Sequence, residues 1–369
     1  MKKRFVIISL LLAIILIAVT GCSAATPAAS SAAASPAAPA SSAASSAAPA
    51  SSAAASASSA AASAGEASYK FGKVQIQALS GATCGAPAYI AFEKGFFKEE
   101  GLDVELVCGT FETQKAGLSS GNFPVANGDF QFFPSVQQGL KLRVVGGLHI
   151  GCIKIVVPPN STIKSAADLK GKKVGIDEPG GTPQAVTSVL LANNGIDPQT
   201  GVQWLTYPLD QLTTAVDKGE VDAFAAWDPF GTLAVRDKGY KEIFDLATDP
   251  LFAGRPCCFL YASQKQIDEN PEKVAAIVRA YQKADAWIKA NPEDAAKLII
   301  DKKYVSTTDV ALVTELLKNY GFDFLAEGAK DQVEYFADQL KKTGFLTADT
   351  DAKKFASDLY YDALGAVKK

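Results

Sequence analysis

Histidine and methionine occur once each in 369 residues, and tryptophan three times. The single His149 excludes any site that needs two imidazoles, such as an H-E-x-x-H zinc motif, and leaves a Ser-His-Asp triad only one histidine to recruit. There is no excess of positive charge: 36 basic residues face 39 acidic ones, and without Lys2, Lys3 and Arg4 the balance becomes 33 against 39, near −6. A surface able to neutralise many phosphates is not expected, so nucleic acid is not a partner. Residues 5–19 are almost wholly apolar but fall short of the ~20 residues of a membrane span. Residues 23–65 contain no charge and no large apolar side chain. Such a segment cannot bury enough surface to offset the entropy of ordering it.

What is present begins with an address. Met1-Lys2-Lys3-Arg4 is a cationic start, and residues 5–19 match the length of a signal-peptide core. Val19-Thr20-Gly21-Cys22 resembles the lipobox of bacterial lipoproteins. That resemblance implies a signal peptide over 1–21 and acylation of Cys22, a palmitate-type lipidation that holds the chain on the outer face of a cell membrane. An uncleaved anchor helix with a chance cysteine is the alternative. The Ser/Ala/Pro segment, taken as 22–68, reads as a tether with an r.m.s. span of ~35 Å at ~5–6 Å per square root of residue number. It either lifts the body through a cell wall or serves as a plain spacer.

From Lys73 onward, short apolar strands alternate with helices of 3.6-residue period, which predicts α/β units with mostly parallel sheets. Strands are expected at 74–79, 102–108, 123–127 and 142–147, and again at 172–176 and 202–207. A helix is expected over 87–100, burying Tyr89, Ile90, Phe92, Phe96 and Phe97. Ser165 and Asp168 have capping-box spacing. The two halves share a plan: strand, glycine turn, helix, glycine stop, strand. Residues 121–129 and 219–227 follow a helix in the same way in each half, which predicts two similar lobes. Lobe 1 is expected over 69–150 and 263–369, and lobe 2 over 151–262. The linking strands at 153–157 and 257–261 would form a hinge. Asn270-Pro271-Glu272 and Asn291-Pro292-Glu293 both read as helix starts. Val274, Ile277, Val278, Tyr281 and Trp287 are expected to pack back on the first lobe.

Three segments, 87–104, 167–175 and 226–229, are similar to those of the solute-binding proteins serving nitrate, sulfonate, taurine and thiamine-pyrimidine importers, the NMT1/THI5-like family. The resemblance implies a type-2 periplasmic-binding-protein fold that closes over a small solute and delivers it to the permease and ATPase of an ABC transporter. It also implies a monomer with no catalytic residue, cofactor or metal. Ligands of open parallel sheets sit beyond the carboxyl ends of the strands. The candidate ligand-binding residues are therefore Ser80, Gly81, Thr83, Cys84, Phe111, Asp129, Phe130, Gly180, Gly181, Thr182, Trp227 and Asp228.

Gly180-Gly181-Thr182-Pro183 could present free amides and a helix dipole to a sulfonate, nitrate or carboxylate, with Thr182 as the cap; it could equally be a turn that holds only its own helix. Trp227 with Phe130, Phe132 and Phe133 suggests walls for a flat ligand, and Asp129 and Asp228 could accept hydrogen bonds from an amine or amidine. Asp228-Pro229 is also a good helix-start pair. The expected solute is accordingly anionic or zwitterionic, with a pyrimidine or other aromatic compound as the alternative. Two further classes stay open: a pyrimidine-synthesising enzyme on the same fold, and a binding lipoprotein that signals to a sensor. Beyond Cys22, the cysteines 84, 108, 152, 257 and 258 admit disulfides, a soft-metal or thiol-sensing site, or the preferred role of small buried hydrophobes.

Overall fold

The computed structural model describes residues 69–324 and 328–368. Cys22 and the 22–68 tether lie outside the described residues. Among the described residues, ten strands form two five-stranded sheets. The first holds β1 (Lys73–Ala78), β2 (Asp103–Cys108), β3 (Val125–Asp129) and β4 (Leu142–His149). The second holds β5 (Ile153–Val157), β6 (Lys173–Ile176), β7 (Gln203–Thr206), β8 (Ala223–Trp227) and β9 (Lys241–Asp245). The last strand, β10 (Cys258–Ser263), belongs to the first sheet.

The sheet orders are β2-β1-β3-β10-β4 and β7-β6-β8-β5-β9, so each is the image of the other. Within each, a parallel trio is followed by two antiparallel pairings, β3 with β10 and β10 with β4, then β8 with β5 and β5 with β9. Four strands thus run one way and the fifth runs against them. The reversed strand in each sheet is the one next to a crossing: β5 directly follows the passage out of the first sheet, and β10 directly follows the passage back. Strands buried on both faces need continuous apolar sequence. β8 shows it throughout, and β5 and β10 do apart from Lys154 and Ser263, with every residue of the three strands buried.

The capping box is present, with Ser165 and Asp168 bonding each other's backbone amides, although it starts only the short turn Ala166–Leu169. The expected helix over 87–100 is two pieces, Ala86–Glu93 and Phe96–Glu99, because Gly95 takes φ +79° between them. The break leaves Tyr89, Ile90 and Phe97 buried while Phe92 and Phe96 are only partly covered. Helix Pro271–Ala290 starts with the Asn270 side chain accepting from the Lys273 N–H at 3.1 Å. It packs on Ala86–Glu93 and on Phe96–Glu99, burying Val274, Ile277, Val278 and Tyr281. Trp287 stays half-buried beneath the Lys94 ammonium. Asn291 provides no side-chain cap for Pro292–Asp301; its amide donates back to the Trp287 carbonyl at 3.0 Å.

The C-terminal helices do not pack on the first sheet alone. Ala329–Lys342 lies against both β4 and helix Thr182–Asn193, which belongs to the second half. Its Phe336 stacks on Phe130 with centroids 4.5 Å apart and also meets Phe252 and Phe259. No helix among the described residues is long and apolar enough to cross a membrane. Removing this keystone ring creates a cavity where both halves and the returning chain meet. Phe336→Ala is expected to cost ~3–5 kcal/mol, measured as a fall in the urea midpoint.

Candidate functional site

A cavity of about 270 Å³ opens where the carboxyl ends of strands from both sheets converge. Leu79, Ser80 and Ala82 come from the turn after β1, Gly109 and Thr110 from the end of β2, and Asp177 and Glu178 from the end of β6. Leu209 and Trp227 complete the lining. A second cavity of about 220 Å³ is lined from the first half by Phe111, Glu112, Lys115, Phe130 and Gln131, and from the second by Pro179, Gly180 and Ala185.

Hydrogen bonds join the halves around these spaces. The Thr83 N–H donates to the Asp228 carbonyl at 3.1 Å, and the Phe111 N–H to Glu178 Oε2 at 3.4 Å. The Thr182 hydroxyl donates to the Asp129 carboxylate. Asp129 is almost wholly buried at the end of β3 and also accepts from the Gln131 N–H at 2.7 Å. Burial raises its carboxyl to about 8, and the bonds from Thr182 and Gln131 only partly counter this.

Of the candidate residues, Ser80 and Trp227 line the first cavity, and Phe111, Phe130 and Gly180 line the second. Gly81 is bound into a bridge with the C-terminal helical segment, its N–H donating to the Tyr304 carbonyl at 2.9 Å. Thr83, Cys84, Thr182 and Asp228 are buried without lining either cavity. Cys84 is a buried free thiol, in keeping with the preferred reading of a small buried hydrophobe. Asp228 serves the helix that follows it: its Oδ1 accepts from the Thr232 hydroxyl at 2.6 Å and from the Thr232 N–H at 3.3 Å. Burial raises its carboxyl to about 6, opposed first by the Lys154 ammonium. Phe132 and Phe133, expected as walls, are wholly buried core.

Two amides of the glycine turn are engaged locally. The Gly180 N–H donates to the Gln184 side chain at 2.6 Å, and the Gly181 N–H to the Glu178 carbonyl at 3.3 Å. Thr182 does not cap its helix; Gly181 stands at the cap position and the Thr182 hydroxyl crosses to Asp129. The first cavity is acidic. Trp227 Nε1 donates to Asp177 Oδ2 at 2.7 Å, fixing indole and carboxylate together. Burial raises the carboxyls of both Asp177 and Glu178, and Asp177 raises Glu178 further. Among the described residues, no lysine or arginine lines this cavity. Sequence reasoning passed over Asp177 and Glu178, although they end β6 and so obey the same strand-end rule that selected their neighbours.

Two mirrored five-stranded α/β sheets, with a cavity between their carboxyl edges, define the class of two-lobed binding folds. Residues 83–295 match the family model described as NMT1/THI5 like, and the chain belongs to that family. The nitrate/nitrite binding protein NrtA of Nostoc sp. (strain PCC 7120) is 27% identical over 285 residues. That match covers 70% of this chain and 63% of the relative, so the chain spans less than two thirds of its length. In structure, the periplasmic nitrate-binding protein NrtA from Synechocystis PCC 6803 superposes with a TM-score of 0.68 at 19% identity, covering 80% of this chain and 87% of that one. The alkanesulfonate-binding protein SsuA from Xanthomonas axonopodis pv. citri, bound to MOPS, gives 0.64 at 18% identity, covering 78% and 98%. At these identities the likeness is one of fold.

Asp129 sets a pH dependence with a definite sign. Its folded pKa of about 8 lies above the unfolded value, so between the two the unfolded chain gives up a proton that the folded chain keeps. Stability from this group is present at low pH and lost as pH rises toward 8. Asp129→Asn is expected to flatten the decline of the thermal midpoint between pH 5 and 8.5, read by circular dichroism at matched ionic strength.

Proposed function

We propose that this chain is the extracytoplasmic solute-binding component of an ABC importer, a monomer that holds one small solute between its halves and presents it to a permease. The relatives named above are binding proteins, which supports a binder over an enzyme. Hinge closure works only if the solute prefers the joined form. The bonds Thr182–Asp129, Thr83–Asp228 and Phe111–Glu178 are the contacts such a preference would strengthen.

The observation that carries the solute reading is the pairing of Asp177 and Glu178 with Trp227 in a cavity that no cationic side chain among the described residues lines. An anion brought there would add repulsion to two carboxyls already destabilised by burial, whereas an amine, amidine or protonated ring nitrogen relieves it. Trp227 with Leu79 and Leu209 supplies an apolar wall for a flat body. The solute is therefore a small nitrogen-bearing compound of aminopyrimidine type. A sulfonate or nitrate is the second reading, favoured by the names of the relatives. Cys22 would anchor the chain by lipid, with the tether as its leash; Cys22→Ser is expected to release the protein from membranes into the soluble fraction.

A thermal-shift screen separates the two solute readings, because a ligand at 100 times its dissociation constant adds ~2.7 kcal/mol of stability. Aminopyrimidines and small amines are expected to raise the midpoint, and Trp227→Ala or Glu178→Gln to weaken that binding about tenfold or more. Affinity for a cationic solute should fall as pH drops through the raised range of Asp177 and Glu178, since both must be ionised to hold it. Stabilisation by sulfonates or nitrate alone would install the second reading. No stabilisation by any of these classes would remove both.

A further inference from the structure

The two crossings bring together a set of side chains that lines neither cavity. His149 ends β4, Cys152 lies on the outgoing passage immediately before β5, and Cys257 and Cys258 stand at the start of the returning strand. All four are at most 1% exposed, and the three cysteines are free thiols. One atom from each, a ring nitrogen and three sulfurs, lies within 4.8 Å of the others. Cys152 Sγ is 3.9 Å from Cys257 Sγ, which is 3.6 Å from Cys258 Sγ. Two thiolates on a tetrahedral zinc with ~2.3 Å bonds stand ~3.8 Å apart, so two of the sulfur pairs already have that spacing. The widest separation needs a contraction of only about 1 Å.

A second observation points to a missing electron acceptor. His149 Nδ1 lies 3.2 Å from the Ile150 carbonyl, which makes Nδ1–H the donor and leaves the lone pair on Nε2. Nε2 is buried and has no hydrogen-bond partner among the described residues. A metal-binding histidine is commonly held in this way, with its other N–H on a backbone carbonyl. Cys152 also carries φ +91°, a left-handed conformation that a non-glycine residue keeps only when its surroundings impose it.

We propose that His149, Cys152, Cys257 and Cys258 form a closed Cys3His site for one Zn2+ ion. Thiolate and imidazole donors select zinc over magnesium or calcium, and four protein ligands leave no open position for chemistry, so the ion is structural. Binding is acid–base and not redox. Three thiols release three protons to solvent, four dative bonds form, and the centre carries one net negative charge. Zinc affinity therefore rises with pH. The ion would tie the end of β4, the outgoing passage and the returning strand to one point, stiffening both crossings. This goes beyond the solute reading, and its test uses no solute.

The experiment uses the full chain, reduced and stripped with a chelator, then titrated with Co2+ and back-titrated with Zn2+. Expected are one Co2+ per chain, with the intense visible bands of a tetrahedral site and sulfur-to-cobalt charge transfer in the near ultraviolet. Three protons should be released per Co2+ bound; one Zn2+ should then displace the Co2+ with no further proton release, and the thermal midpoint of the metal-loaded chain should lie above that of the stripped chain. Cys152→Ser and Cys257→Ser should each weaken the charge-transfer band by about a third or more, since each removes one of three sulfur ligands. Weak, octahedral cobalt spectra in the unmodified chain would overturn the proposal, and so would a band unchanged in both variants. Because the first readout needs no variant, a variant that fails to fold leaves the decision intact.

Discussion

Each sheet is completed by a strand that the chain reaches only by leaving the other sheet. β10 fills the gap between β3 and β4, and β5 fills the gap between β8 and β9. The first half cannot saturate its central hydrogen bonds from its own unbroken stretch of sequence, because β10 arrives only after the whole second sheet, Ile153–Asp245, has been traversed, so the two crossings cannot be loose linkers. They run through the interior, where every residue of β5 and β10 is buried. Backbone groups in such a place must be paired, and side chains must be small or apolar unless they find partners. Most of the molecule's unusual chemistry sits at or beside these passages: the three cysteines, His149, and Lys154 with its carboxylate partners Glu242 and Asp245.

The same constraint shapes the space between the halves. Strand ends carry the polar residues, because the turn after a strand is where glycine, serine and aspartate are tolerated. When two sets of strand ends face each other, those groups must bond across the gap, point into the cavity, or be buried at a cost. Thr182 and Asp129 take the first course and Asp177 and Glu178 the second. Asp228 takes a third, turning back to serve its own helix under the influence of Lys154. The net result is an acidic cavity walled by indole and leucine. That is a physical reason to look for a nitrogen-bearing solute in a family whose named relatives bind oxyanions.

Much of the fold was legible in order. Strand positions, the doubled plan, the capping box at Ser165 and the Asn270 helix start all follow from periodicity and local hydrogen-bonding chemistry, which act over a few residues. Errors arose where a local signal had competitors of equal strength. Gly95 could continue a helix at modest cost or break it; it breaks it, at φ +79°, and Phe97 just beyond is buried. The Gly180 turn could offer its amides to a ligand or spend them at home, and the side chain of Gln184, four residues on, spent one. The strand-end rule found the right neighbourhood of the site, but the aspartate and glutamate between β6 and the glycines were hidden by attention to the turn beside them.

By itself, the sequence determined the class of architecture, the paired halves and the set of strand ends that meet, because apolar period and turn chemistry are short-range properties. Only the tertiary structure decided which of those ends line the cavity and what charge it presents. It alone brought His149 and Cys152 within reach of Cys257 and Cys258, more than a hundred residues away in the chain. The reason is that a side chain's partners across a gap depend on how two sheets face each other. That arrangement is a sum over many weak contacts, and no single segment of the chain encodes it.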